Sequence, residues 1–275
     1  MDHFWDNPVR RHAGRLIAAR SRRIAGLVLG MTVVVGLLLQ HHWMEADWRQ
    51  WRRPGYAGRL VTMSLLAEVG LLGAWAASRG GQLGRRVRRE GHLDDYRRSR
   101  LAPVRIAAGL WGAAMGPPTG LLAVSALLAV VVGSGAEGLS PFAVLLAHAV
   151  VGILVWFFGL LGLLVGDRTR SPAAPIGVCL AVLAPAIGAI ALLDPLLGRL
   201  DHPQVWIYGA LLPNPVTAIA GALGMDVLRV AWLYEHMHAH EYFYVSPLPW
   251  QMVAVYLGPT ALLFLGLTRR IGRPE

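Results

Sequence analysis

Six apolar stretches divide the chain: residues 24–40, 60–78, 106–132, 141–165, 174–193 and 250–267. A bilayer's hydrocarbon core takes roughly 17–25 residues of helix. Each stretch meets or approaches that length, so each is expected to be a transmembrane helix. A further apolar run, 205–224, is interrupted by Pro213 and Pro215. Proline lacks the N–H that a helix interior needs, so the connection 194–249 is expected to form one or two helices packed at or dipping into the outer leaflet.

The polar positions set the orientation. All 26 basic residues are arginine. With the N-terminus inside, twenty arginines fall in inside segments and six in outside segments, the bias that the positive-inside rule describes. A seventh crossing would place Arg269, Arg270 and Arg273 outside. The expected protein is therefore a multi-pass membrane protein of six transmembrane helices, with both termini cytoplasmic. Composition agrees, because a 55% hydrophobic fraction is too high for an ordinary soluble domain of 275 residues. The net charge of +10 would suggest nucleic acid in a soluble protein. Here it forms a collar facing anionic lipid headgroups, and no nucleic-acid partner is expected. Cys179 is the single cysteine and falls in the fifth stretch, so no intrachain disulfide exists. The first 23 residues are polar and basic, so no cleaved signal peptide is expected.

Two shorter segments carry pattern of their own. Asn7 can cap a helix with Pro8 at its first position. Val9, His12 or Ala13, and Leu16 with Ile17 then recur at helical spacing, which reads as an amphipathic interfacial helix; the other reading is a basic arm. In 79–105, Gly91 is expected to break a first helical part and Pro103 to stop a second, spanning 92–101. Asp94 and Asp95 stand at its start and Arg97, Arg98 and Arg100 at its end. That order complements the helix dipole and allows an Asp94–Arg98 pair. By charge alone the same segment also reads as a solvated topogenic loop.

This layout resembles the permease subunit of ABC transporters of the type-2 exporter class. Asn7-Pro8-Val9 resembles the opening of that family's amphipathic elbow helix (1–23). Arg89-Glu90-Gly91-His92-Leu93-Asp94, with Leu101-Ala102-Pro103, resembles its Glu-Arg-Glu-x-Gly-Thr-Leu-Asp pattern and following proline. Leu212-Pro213-Asn214-Pro215-Val216-Thr217-Ala218 resembles the element after span five. His92 stands where threonine is usual, and a basic residue replaces the first acid. The resemblance implies a single all-α permease domain over 1–275, in a bacterial cytoplasmic (inner) membrane. It implies outer re-entrant helices between spans five and six, and a cytoplasmic coupling helix bearing Glu90, Gly91, Leu93, Asp94, Asp95, Arg97 and Arg98. The partners it implies are a separate ATP-binding cassette ATPase, which would hold ATP and magnesium, and a second copy of this chain or a related permease.

The chain has no lysine and no Gly-rich strand–helix turn. A Walker-type phosphate loop needs both, so ATP hydrolysis is expected from a partner, and this chain is expected to be no enzyme and to hold no cofactor. Glu68 and His148 lie inside predicted spans. Glu68 reads as a proton or substrate group, or equally as a hydrogen-bonded packing carboxyl; His148 is a weak metal or haem ligand. His236, His238 and His240 are weak metal candidates, with His41, His42 and His202 on the same side; the plainer reading is an exposed polar turn. Trp43, Trp48, Trp51, Trp232, Tyr242, Tyr244 and Trp250 read as an outer aromatic belt. Two other functions fit the same pattern. One is a non-transporting structural subunit that keeps the permease fold, and the other is a metal-handling membrane protein using the outer histidines.

Overall fold

The computed structural model describes residues 7–17, 56–133, 139–226, 228, 237–242 and 244–272. The stretch 24–40, His41, His42, His236 and the tryptophans at 43, 48, 51 and 232 lie outside them. The described residues form helices and short 3₁₀ turns without a strand.

Helix α1 covers residues 8–17. The Asn7 side chain accepts the Val9 N–H at 2.9 Å, satisfying one free donor of the first turn. Val9, Ala13 and Ile17 are buried, a four-residue spacing that gives α1 one apolar face. The Asn7 amide also donates to the Arg105 carbonyl at 2.8 Å, which ties the start of α1 to the main bundle. Over residues 8–17 the segment is an amphipathic helix.

Helix α2 (Tyr56–Arg89) and helix α5 (Pro141–Arg168) form the centre of the bundle. They run parallel and touch backbone to backbone. A Cβ on Gly80 would stand 2.2 Å from the Gly159 carbonyl oxygen, and one on Gly162 would stand 2.2 Å from that of Ala77. In lipid there is no apolar driving force between helices, so close approach through small residues supplies the packing. Helix α2 runs well past the expected span, through Arg89, so the first part of the expected loop 79–105 is helix.

Between α2 and α5 in sequence come α3 (His92–Arg98) and α4 (Pro103–Gly133). Pro117 and Pro118 interrupt α4 and leave the carbonyls four residues earlier, Ala113 and Ala114, without helical donors. Arg79 of α2 fills both. Its Nε donates to the Ala114 oxygen at 2.9 Å and its Nη2 to the Ala113 oxygen at 3.1 Å. Arg79 is 3% exposed, a buried cation whose donors meet two orphaned acceptors.

Helix α6 (Ala174–Leu193) leads into a 3₁₀ turn, Asp194–Arg199. Helices α7 (Pro203–Leu211) and α8 (Pro215–Ala222) follow, bent by 86° at Pro213. Asn214 repeats the Asn7 device, its side chain accepting the Val216 N–H at 2.9 Å. These elements gather a second apolar cluster around Ile190, Leu197, Ile207 and Leu211. A 3₁₀ turn, His238–Glu241, and helix α9 (Pro249–Gly272) complete the described fold.

Five of the described helices are long and apolar enough to cross a membrane, and the bent α7–α8 pair reaches that length only as one broken span. The chain is a helical, multi-pass membrane protein.

Candidate functional site

The densest arrangement of charged and polar side chains lies at one end of the bundle, around α3. Gly91 sits at φ 71°, a left-handed conformation that glycine adopts without the usual Cβ penalty, and there the chain turns out of α2. Asp94 and Asp95 lie in the first turn of α3, Arg97 and Arg98 in the last, the order that complements the dipole. The sequence reading needs two corrections. The helix ends at Arg98, with Ser99 as its cap and Arg100 following at φ 58°, and Pro103 opens α4 instead of stopping α3. Asp94 pairs with Arg97 at 3.1 Å, not with Arg98; both positions can face Asp94, and Arg97 is the one held in place by its bonds to the end of α9.

The inward face of α3 is anchored three ways. Leu93 packs half-buried on the main core. The Tyr96 hydroxyl is 2.7 Å from His12 Nδ1 of α1, and the His12 ring meets that of His92 edge-on at 5.0 Å. Burial, with the Asp95 charge adding to it, pushes the Tyr96 phenol up to about 12. The phenol stays protonated at neutral pH and keeps its O–H to donate. Arg97 Nε donates to the Ile271 oxygen at 3.0 Å and Nη2 to the Arg270 oxygen at 3.2 Å, closing two carbonyls at the end of α9 that the helix itself leaves open.

The opposite face stays in solvent. Glu90, Asp94, Asp95 and Arg98 are exposed, and Glu90 bonds His92, two residues on, at 3.0 Å. Around α3 the helix ends are strapped together. Arg88 donates to the Asp167 carbonyl at 2.6 Å, Arg85 to the Ser171 carbonyl at 3.0 Å, and Arg86 to the Leu16 carbonyl. The Asp167 carboxylate pairs with Arg270. One junction thus joins α1, α2, α3, α5 and α9, and charged side chains project from it.

The remaining candidates are dispersed. Glu68 accepts a hydrogen bond from Ser125, which ties α2 to α4, and its second oxygen is buried without a partner among the described residues. His148 donates through Nδ1 to the Val144 carbonyl of its own helix at 2.8 Å, leaving Nε2 buried and unbonded among the described residues. No hydrogen bond joins these two groups there. His238 pairs with Asp194 at 3.2 Å, and Asp194 also accepts the Ala239 N–H at 2.8 Å; of His240 only the backbone is described. Among the described residues no three metal-ligating groups converge. Tyr242 packs on the second apolar cluster and the Tyr244 hydroxyl donates to Asp226, so both are tied into the fold. Trp250 is 65% exposed near the start of α9.

Sequence reasoning missed Tyr96, His12, Asp167 and the pairing of Arg79 with α4. Tyr96 could have been found, because Leu93 and Tyr96 stand at the i, i+3 spacing of a helix face. Asp167 sits in Gly166-Asp167-Arg168, and only the packing of α5 against α9 gives it a partner. The geometry defines a multi-pass helical membrane protein with a short, charged helix strapped across one end of its bundle. No protein-family model, curated protein or solved structure matches the chain.

Proposed function

We propose that this chain is the membrane-spanning permease subunit of an ATP-driven exporter. It works as a dimer, with a second copy or a related permease, and is driven by a separate ATP-binding cassette ATPase that holds ATP and magnesium. In this reading the membrane is a bacterial inner membrane, and the arginine bias supports a cytoplasmic α3 end with both termini on that side.

The observation that carries this reading is the two-sidedness of α3. Tyr96 and Arg97 fix it to α1 and to the last two residues before the end of α9. Glu90, Asp94, Asp95 and Arg98 are left outward. A short charged rod fastened in this way transmits a push on its outer face to the helices that hold it, as rigid-body switching requires. Closure of an ATPase pair against α3 would move α9 through Arg97 and α1 through the Tyr96–His12 bond. The chain supplies pathway and gating, and its lack of any lysine leaves phosphate chemistry to the partner.

Co-expression with an ATPase encoded in the adjacent reading frame tests the reading. The expected result is a stable complex whose ATP hydrolysis changes when this chain is present. A chain that inserts, folds and dimerises but never retains an ATPase overturns it.

A further inference from the structure

Helices α5 and α9 end at the same side of the bundle, where Asp167 and Arg270 pair. Between them runs a cleft of about 560 Å³. Its walls are Leu161 and Leu164 from α5 and Leu262 and Leu263 from α9, and Gly266 forms part of its floor. A Cβ on Gly266 would meet nothing within 4 Å, so the floor is open space and not a closed helix contact. At the helix ends the lining changes to Arg168, Arg269 and Arg270.

From Leu161 to Arg168 the helix rises about 10 Å, so apolar wall and cationic rim are stacked along the axis of α5. Arg270 is neutralised by Asp167. Arg168 and Arg269 are exposed, with no hydrogen bond or ion pair among the described residues. Arg168 also borders a second cleft lined by Arg85, Arg88, Arg89 and Arg170, which adds to the positive field at this level. An apolar trough in the span, closed at headgroup depth by unpaired cations, matches one kind of molecule: an amphiphile with an acyl chain and an anionic head.

We infer that the α5–α9 cleft is a binding site for an anionic phospholipid, its phosphate held by Arg168 and Arg269 and its chain lying along Leu161, Leu164, Leu262 and Leu263. Arginine suits the phosphate because its planar donors meet two oxygens at once. The site is independent of the transport reading, since it needs only the membrane and these two helices.

Native mass spectrometry of the purified full chain, titrated with phosphatidylglycerol, phosphatidylcholine and free glycerol phosphate, tests the inference. Wild type should retain phosphatidylglycerol in preference to phosphatidylcholine, and glycerol phosphate should compete poorly because it lacks the chain. Arg168→Gln with Arg269→Gln should weaken phosphatidylglycerol retention by about 30-fold, the factor that two basic contacts near a membrane surface supply. Gly266→Leu, which fills the trough and leaves every arginine in place, should weaken it as well. Arg98→Gln with Arg100→Gln, on exposed positions of the α3 segment, should not. Circular dichroism melting checks each variant's fold, and wild-type competition decides the matter if a variant fails to fold. Equal retention of phosphatidylcholine would remove the phosphate from the inference. Full competition by glycerol phosphate with no effect of Gly266→Leu would reduce the cleft to a free-phosphate site. Loss of dimer in place of lipid in Gly266→Leu would make it an interface between copies. Absence of any retained lipid in wild type would mean another part of the chain fills it. Each of these outcomes overturns the proposal.

Discussion

Arg79 of α2 donates to the backbone oxygen of Ala114 on α4 at 2.9 Å, and that oxygen is free because Pro118, four residues on, has no N–H to offer. The second donor of the same side chain reaches Ala113, the carbonyl that Pro117 leaves open. A charge within a spanning helix and two helix-breaking residues are each costly alone. Together they satisfy one another. The pair fixes the height of α2 against α4, and hence where α2 delivers the chain to α3.

Arg79→Leu is expected to leave two carbonyls unbonded in an apolar setting, at about 1–3 kcal/mol for each group, and to lower the melting temperature in detergent. Adding Pro117→Ala and Pro118→Ala restores the helical N–H groups, so the triple variant should recover much of the loss. A triple variant that melts no higher than Arg79→Leu would show that the carbonyls are not what Arg79 serves.

The α2–α5 contact predicts a sharp contrast between glycines. At Gly162 a Cβ would overlap the Ala77 backbone, with the carbonyl oxygen at 2.2 Å and Cα at 2.6 Å, and neither is the end of a flexible side chain. Gly162→Val should therefore cost about 3 kcal/mol or more by overpacking and reduce the yield of folded protein. Gly177→Ala, where a Cβ would meet nothing within 4 Å, should melt within a degree or two of wild type. Equal tolerance at both positions, read by thermal denaturation, would contradict the close parallel packing.

Reversal of Asp94 and Asp95 to arginine should leave the protein inserted and folded, because both side chains are exposed and dipole terms at such sites are worth about 0.3–1 kcal/mol each. If the proposed ATPase docks on α3, its retention should fall in a pull-down. Under the same proposal Tyr96→Phe, which keeps the ring and loses the bond to His12, should retain that ATPase yet blunt the coupling of its hydrolysis to transport. Unchanged pull-down in the reversed variant would leave α3 as a strap with no docking role.

The orientation is open to a labelling experiment. With Cys179 replaced, single cysteines at Ser99 and at Val245, both exposed, should react differently with a membrane-impermeant maleimide in intact cells. Val245→Cys should label and Ser99→Cys should not. Labelling at position 99 from outside would invert the assignment that the arginine bias gives.

The spans within the described residues were legible in the chain because lipid offers the backbone no hydrogen bonds, so an apolar run of this length has helix as its outcome. The break at Gly91, the interruption at Pro213 and the cap at Asn7 were legible for a similar reason, since each depends on a residue's own backbone chemistry; the Asn214 cap depends on the same chemistry and was not read. Partnership was not. Arg79 read as a loop cation until α4 supplied the Ala113 and Ala114 oxygens. Arg97 read as one more helix-end charge until the end of α9, 173 and 174 positions away, supplied two carbonyls. Asp167 gained its meaning only from Arg270, and the trough beside them exists only because α5 and α9 end together. Local energetics reside in neighbouring residues and can be read along the chain. A long-range pairing depends on which helices touch and at what height, and that is set by the packing of the bundle as a whole.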